Sequence, residues 1–164
     1  MKKHLLTTLF LFTTVFCFSQ LYIGLAPSLT NTAGTIAEKA NISMEIGKQW
    51  DAFSLGLDIG KTSLGKVTGR DTTVYLELCP NLNVFKQGKF TNTFTVGLGY
   101  IFNAKENFMT ELASGVEYFH SERLHFNVFF GQYFYSGRES ASNVTFLSLS
   151  VMFYFGAPKE RAGK

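Results

Sequence analysis

Large apolar residues and small polar residues alternate one by one along most of the chain after residue 20. In the segment Phe90–Phe102, even positions are mostly aromatic or aliphatic, and odd positions are mostly threonine or glycine. Successive side chains of a β-strand point to opposite faces. The segment is therefore predicted to be a strand with one apolar face and one small, polar face.

The same alternation predicts eight strands. They are Leu21–Leu29, Asn41–Trp50, Phe53–Lys61, Thr72–Phe85, Phe90–Asn103, Phe108–His120, Leu124–Tyr135 and Val144–Phe155. Each strand is close to or longer than the roughly 9–11 residues that a tilted strand needs to cross a bilayer. Short connections mostly alternate with longer ones, as they do in outer-membrane barrels.

Two soluble folds would also show this alternation, namely a lipocalin-type barrel and a β-sandwich. In a soluble barrel the apolar residues lie inside and charged residues cover the outside. Here every lysine and arginine after residue 20 falls at a strand end, in a turn or loop, or in the tail. A lysine at the middle of a lipid-facing wall costs about 2–4 kcal/mol, so this placement favours a membrane barrel.

The acidic residues support the same conclusion. Five of them lie within predicted strands, all on the small, polar face: Glu45, Asp58, Glu77, Glu111 and Glu117. The opposite face is dominated by Leu, Ile, Val, Phe and Met, which suits contact with lipid. We therefore predict an all-β fold, an eight-stranded antiparallel up-and-down transmembrane β-barrel.

Aromatic residues gather near both ends of the strands, as in the interfacial girdles of membrane proteins. The last strand ends in aromatic Phe155, like the C-terminal signal that the barrel-assembly machinery reads. On these features, residues 20–155 resemble the small eight-stranded outer-membrane β-barrel family of the kind abundant in Bacteroidetes-type bacteria. The resemblance implies a monomer in the cell outer membrane, with lipid and the assembly machinery as partners and no nucleic acid. Both barrel termini would be periplasmic.

Residues 1–19 have the features of a cleavable signal peptide. Lys2 and Lys3 give a basic start, an uncharged apolar run follows from Leu5 to Phe18, and Ser19 precedes the expected cleavage. The run is shorter than the roughly 20 residues of a membrane-spanning helix. We assign residues 20–155 to the barrel and residues 156–164 to a short polar tail.

Loss of the signal peptide would lower the formal net charge from +3 by the two lysines, to +1. The charge therefore gives no support for a nucleic-acid partner. Cys79 would be the one remaining cysteine, which excludes an intrachain disulfide framework. We interpret Cys79 as a small packing residue.

The candidate site is a cluster of carboxyl groups, Glu45, Asp58 and Glu77, inside the barrel. If residues 51–52 form a two-residue turn, Glu45 faces Asp58 on the adjacent strand. Glu77 would lie on the next strand, nearly level with Gly56. Like charges directly opposite one another are unfavourable. The cluster therefore requires shared protons, a bound cation or a basic loop side chain folded inward.

Lys66 and Arg70 are the loop side chains that could supply that charge. The simplest interpretation of the cluster is that inward tyrosine, asparagine and serine side chains hydrogen-bond a partly protonated polar core. A second candidate pair is Glu117 with His125, which we expect to be structural. Four bulky inward residues indicate a filled interior, since eight strands enclose little space: Phe129, Tyr133, Tyr135 and Tyr154.

The function predicted from the sequence is a non-enzymatic outer-membrane barrel with a structural or surface-interaction role. The alternative is a narrow pore, or a barrel that binds a small ligand or a cation with its lumen acids. A remote alternative is a lipid A-modifying enzyme, but His120 and Ser121 fall in a predicted periplasmic turn, far from the outer leaflet. We predict no catalytic, cofactor or metal site.

Overall fold

The computed structural model describes residues 20–32, 35–36, 40–62, 73–102, 108–136 and 143–156. These residues form nine strands: β1 (Gln20–Thr32), β2 (Thr35–Ile36), β3 (Asn41–Gln49), β4 (Phe53–Thr62), β5 (Thr73–Gln87), β6 (Phe90–Phe102), β7 (Phe108–Phe119), β8 (Leu124–Ser136) and β9 (Val144–Phe155). Among the described residues, no helix is long and apolar enough to cross a membrane.

The eight long strands form one closed antiparallel barrel. Each pairs with the next along the chain, β1 pairs with β3, and β9 pairs back with β1. The two-residue β2 only extends the end of β1. The prediction of an eight-stranded antiparallel up-and-down barrel is therefore confirmed. The strand bounds differ from the prediction by up to three residues, and those of β9 are as predicted.

The pairing register shows how steeply the strands are tilted. From Gln20, the cross-strand partners lead through each long strand in turn and return to β1 at Thr30. The register is thus displaced by ten residues over one circuit, from Gln20 to Thr30. Such a displacement tilts the strands by roughly 35–45° from the barrel axis.

The two ends of the barrel differ. One end, here called the turn rim, holds the short turns at residues 50–52, 88–89 and 120–123 together with Gln20 and Phe155. The other end, the loop rim, leads into connections that include residues 33–34, 37–39, 63–72, 103–107 and 137–142. These residues, the predicted signal peptide, and residues 157–164 of the predicted tail lie outside the described residues.

The outer face of the barrel is a continuous apolar surface. Every long strand contributes exposed Leu, Ile, Val, Phe or Met side chains, for example Leu57, Leu98 and Leu149 near the middle of their strands. Aromatic pairs lie near both rims: Phe90 with Tyr118 at the turn rim, and Tyr100 with Phe108 at the loop rim. The predicted apolar outer face and its aromatic ends are thus present.

The interior contains two clusters of buried side chains. The cluster near the loop rim, here called the upper cluster, comprises Tyr75, Ile101, Met109, Ala113, Tyr133, Tyr135, Val144 and Phe146, with Phe129 packed against it. The cluster near the turn rim, here called the lower cluster, comprises Tyr22, Met152 and Tyr154. The bulky residues predicted to point inward therefore do so, and they occupy part of the lumen toward both rims.

Candidate functional site

Four acidic side chains lie between the two clusters. Glu45, Asp58 and Glu77 come from the adjacent strands β3, β4 and β5, and Glu111 comes from β7. Glu77 is 1% exposed and Glu111 is 9% exposed, whereas Glu45 and Asp58 are half-buried. All four point inward because they share the parity of the small, polar face. Together they form the acid layer of the lumen.

Two tyrosine hydroxyl groups donate hydrogen bonds to two acids of the layer, Glu45 and Asp58. The Tyr22 hydroxyl donates a hydrogen bond of 2.5 Å to Glu45 Oε1. The Tyr75 hydroxyl donates one of 2.8 Å to Asp58 Oδ2. Tyr22 belongs to the lower cluster and Tyr75 to the upper cluster. Each cluster therefore anchors one carboxyl group, as expected if tyrosines hydrogen-bond a polar core.

Glu77 lacks such an anchor. Among the described residues its only hydrogen-bonding neighbour is the carboxyl group of Glu111, and no hydroxyl, amide or basic donor meets either oxygen, although the side chain is almost completely buried. An unpaired buried carboxyl group loses its hydration without compensation. The Asp58 Oδ1 atom is likewise unpaired within the described residues. The acid layer thus contains acceptor atoms with unused bonding capacity.

Glu77, Cys79 and Glu111 form the lumen triad. One donor atom from each of these three buried side chains lies within 4.8 Å of the other two. Glu77 and Cys79 are two residues apart on β5, so both face inward. Glu111 approaches them from β7, across the intervening strand β6.

The approach across β6 depends on Gly97. Gly97 is the register partner of Glu111. A Cβ atom added at Gly97 would overlap the Glu77 carboxyl group and lie 2.9 Å from the Glu111 Cβ. Glycine at this position therefore leaves the space in which Glu77 and Glu111 meet.

A cavity of about 60 Å³ adjoins the acid layer. Its lining includes Glu45, Asp58, Cys79 and Glu111, together with Asn81 and Thr95. The Thr95 hydroxyl donates a hydrogen bond to the Asn81 side-chain oxygen on the cavity wall. A polar cavity of this size has room for water or for one small ion.

No cationic side chain among the described residues enters the acid layer. Lys61, Lys86, Lys89 and Arg123 are exposed, and Lys48 lies on the outward parity near the turn rim. Lys66 and Arg70, the loop side chains predicted to be available, lie outside the described residues. Within the described part of the chain, the four carboxyl groups are therefore not balanced by a lysine or arginine.

The second predicted pair lies closer to the turn rim. His125 Nδ1 and Glu117 Oε1 are 2.6 Å apart, and the Tyr154 hydroxyl donates a 3.2 Å hydrogen bond to the same oxygen. The His125 ring packs against Tyr154 and Phe119, with ring centroids 4.2 Å and 4.5 Å apart. The two predicted residues are therefore in direct contact, in a buried and hydrogen-bonded arrangement.

The register of the predicted cluster is partly as expected. Glu45 pairs with Asp58 and Gln49 with Ser54, as the two-residue turn predicts. The predicted level of Glu77 was wrong, because Glu77 pairs with Asp58 rather than lying beside Gly56. Cys79 is the residue that pairs with Gly56.

Two members of the triad were not assigned to the site from the sequence. Glu111 was placed on the inner face but not in the cluster, and Cys79 was interpreted as a packing residue. Two features of the sequence could have indicated them: Cys79 lies on the same strand face as Glu77, and a glycine, Gly97, lies opposite Glu111. Parity assigns a face, however, and does not give the height of a residue in a tilted barrel.

Several solved membrane barrels share this fold. Neisserial surface protein A is 10% identical, with a TM-score of 0.56 over 84% of this chain and 97% of that chain. The N-terminal β-barrel domain of Pseudomonas aeruginosa OprF is 14% identical, with a TM-score of 0.58 over 84% and 99%. A de novo designed transmembrane β-barrel is 13% identical, with a TM-score of 0.56 over 83% and 95%.

No protein-family model and no curated protein sequence matches the chain. At identities of 10–14%, the structural similarity establishes the fold and no specific activity. The chain therefore resembles the small eight-stranded barrels of Gram-negative outer membranes in its architecture.

Proposed function

We propose that the chain is a non-enzymatic outer-membrane β-barrel protein with a structural or surface-interaction role. The observation that carries the proposal is the combination of a closed sheet with an apolar outer face and a polar interior. A closed barrel satisfies all strand hydrogen bonds internally, as lipid requires. In water the same outer face would be a large exposed apolar surface, which soluble monomers avoid.

The filled lumen favours a structural role over a pore. The upper and lower clusters occupy the interior on both sides of the acid layer. A conducting pathway would have to pass both sets of buried aromatic side chains. The alternative of a narrow pore is therefore less well supported than a closed barrel.

The difference between the rims supports an orientation. Outer-membrane barrels have short turns on the periplasmic side and longer loops outside. We therefore place the turn rim and both barrel termini in the periplasm. The connections at the loop rim would then face outward, where they are available for contacts at the cell surface.

The arrangement gives little support to lipid A chemistry. His120 and Ser121 are exposed in the β7–β8 turn at the turn rim, and His125 is buried against Glu117. Neither histidine lies near the loop rim, where the outer leaflet would be. We also propose that the chain belongs to the Bacteroidetes-type family of small outer-membrane barrels, as expected from the sequence.

The proposal is tested by producing the full chain in a Gram-negative host. We expect the protein in the outer-membrane fraction, with gel migration that changes on heating. A cysteine introduced within residues 63–72 should react with a membrane-impermeant maleimide in intact cells, and one replacing Ser121 should not. Soluble protein in the periplasm, or a change in lipid A mass on expression, would contradict the proposal.

A further inference from the structure

We propose that the lumen triad of Glu77, Cys79 and Glu111 is a binding site for one divalent transition-metal ion of the Zn²⁺ class. This departs from the sequence-based expectation of no metal site, and it is independent of the role proposed for the barrel. The three side chains are buried, and their donor atoms lie within 4.8 Å of one another.

The donor set indicates the class of ion. Two carboxylate oxygens and one cysteine sulfur suit a borderline or soft cation, whereas Ca²⁺ and Mg²⁺ prefer oxygen ligands alone. Zinc is bound at about 2.3 Å by sulfur and at about 2.0–2.2 Å by carboxylate oxygen. An ion placed among the three donors would have to draw them to these distances from their present separations of up to 4.8 Å. The adjoining cavity has room for a water molecule as a fourth ligand.

The second, independent observation is the state of Glu77. Its side chain is 1% exposed, and within the described residues no donor from outside the triad meets either carboxyl oxygen; its one hydrogen-bonding neighbour is Glu111, the other acid of the triad. Glu45 and Asp58, by contrast, each accept a tyrosine hydrogen bond. A cation between Glu77 and Glu111 would take the place of a proton shared by these two carboxyl groups, neither of which is anchored by a tyrosine in the way that Glu45 and Asp58 are.

The charge balance points the same way. No lysine or arginine among the described residues faces the acid layer. Binding would release the thiol proton of Cys79 and the proton shared by Glu77 and Glu111, because the thiolate and the carboxylates are the forms that coordinate a metal. The resulting charges, two carboxylates and a thiolate, would be largely offset by one divalent ion.

Gly97 leaves space between Glu77 and Glu111. Gly97 stands where any side chain would separate Glu77 from Glu111. Gly97 thereby allows the two carboxyl groups to approach each other.

The test uses the full-length protein, purified in detergent and confirmed as folded by heat-modifiable gel migration. It is titrated with Co²⁺ and Zn²⁺ alone, with metal content measured after buffer exchange. We expect one ion per chain and a thiolate-to-cobalt charge-transfer band. Excess Mg²⁺ or Ca²⁺ should not displace the ion. A folded wild-type protein that retains no Co²⁺ or Zn²⁺ would overturn the proposal.

Variants locate the ion. Cys79→Ser should abolish the charge-transfer band and weaken Zn²⁺ binding by more than about tenfold, as expected for loss of a direct ligand. Glu111→Gln, which nearly preserves the side-chain volume, should weaken binding to a similar extent. The matched control is Glu45→Gln, which removes an acid of the same layer outside the triad and should leave the charge-transfer band unchanged and weaken binding less than Glu111→Gln does.

Two further outcomes would contradict the assignment. If Cys79→Ser retained wild-type affinity, the ion would not lie at the triad. If Glu45→Gln weakened binding as much as Glu111→Gln, the lumen would attract cations through its overall charge and contain no defined site.

Discussion

Gly56 of β4 lies against the carboxyl group of Glu45 on β3. An added Cβ at Gly56 would overlap that carboxyl group and stand 2.8 Å from the Tyr22 hydroxyl oxygen, the donor to Glu45. The absence of a side chain at Gly56 thus makes room for the Tyr22–Glu45 hydrogen bond at the border of the lower cluster and the acid layer.

Gly56→Ala should therefore destabilise the barrel. Overpacking of a filled interior typically costs about 1–3 kcal/mol, and we expect this loss in equilibrium urea unfolding in phospholipid vesicles. The matched control is Gly24→Ala, another inward glycine, whose added Cβ would have its nearest contact at 3.4 Å. Equal stability of the two variants would show that Gly56 is not sterically required.

The Tyr22–Glu45 hydrogen bond should contribute measurable stability. Tyr22→Phe keeps the ring of the lower cluster but leaves a carboxyl oxygen without its donor, and such a loss typically costs about 1–3 kcal/mol. The same unfolding measurement applies. Tyr100→Phe on the outer face serves as the control and should change stability by less than about 0.5 kcal/mol. Similar effects of the two variants would argue against an anchored acid layer.

Substitution of the buried His125 should lower stability more than substitution of the exposed His120. His125→Phe preserves an aromatic ring but removes the nitrogen that meets Glu117 at 2.6 Å. We expect a loss of about 1–3 kcal/mol in the free energy of unfolding, because the buried carboxyl group loses a partner. His120→Phe, in the exposed turn, should be close to neutral. A neutral His125→Phe variant would refute the structural role of the pair.

We expect that the barrel does not conduct ions. The wild-type protein, inserted in a planar bilayer and confirmed as folded, should show no channel events at neutral pH, since buried side chains fill both ends of the interior. The control is an empty-detergent addition, which defines the background. Reproducible unitary conductance from the folded protein would instead favour the narrow-pore alternative.

The fold could be predicted from which face of its strand each side chain occupies. Prediction of the site also required the pairing register between strands. The two-residue turn at residues 51–52 fixes the pairing of Glu45 with Asp58, because short hairpin turns determine register. A connection of ten residues does not by itself determine register, so the length of residues 63–72 gave no guide to the level of Glu77, which was misplaced. The meeting of Glu77 and Glu111 depends on the ten-residue displacement around the barrel and on Gly97. Neither property can be obtained from the alternation within a single strand.

The central claim is that the apolar outer face contacts lipid. Leu149 lies near the middle of β9 and is 56% exposed, while Phe155, on the same face, ends the strand at the turn rim. A lysine costs about 2–4 kcal/mol at the bilayer midplane and about 0–1 kcal/mol near the interface. Both side chains are exposed on the outer face of the barrel. A difference in stability between the two lysine variants therefore reports the medium around each position, hydrocarbon or interface.

The most direct measurement is therefore the free energy of unfolding of Leu149→Lys and Phe155→Lys in phospholipid vesicles. We predict that Leu149→Lys loses about 2–4 kcal/mol and that Phe155→Lys loses about 0–1 kcal/mol. If Leu149→Lys were as stable as the wild-type protein, or no less stable than Phe155→Lys, the middle of the outer face would not lie in the hydrocarbon core, and the account would be contradicted.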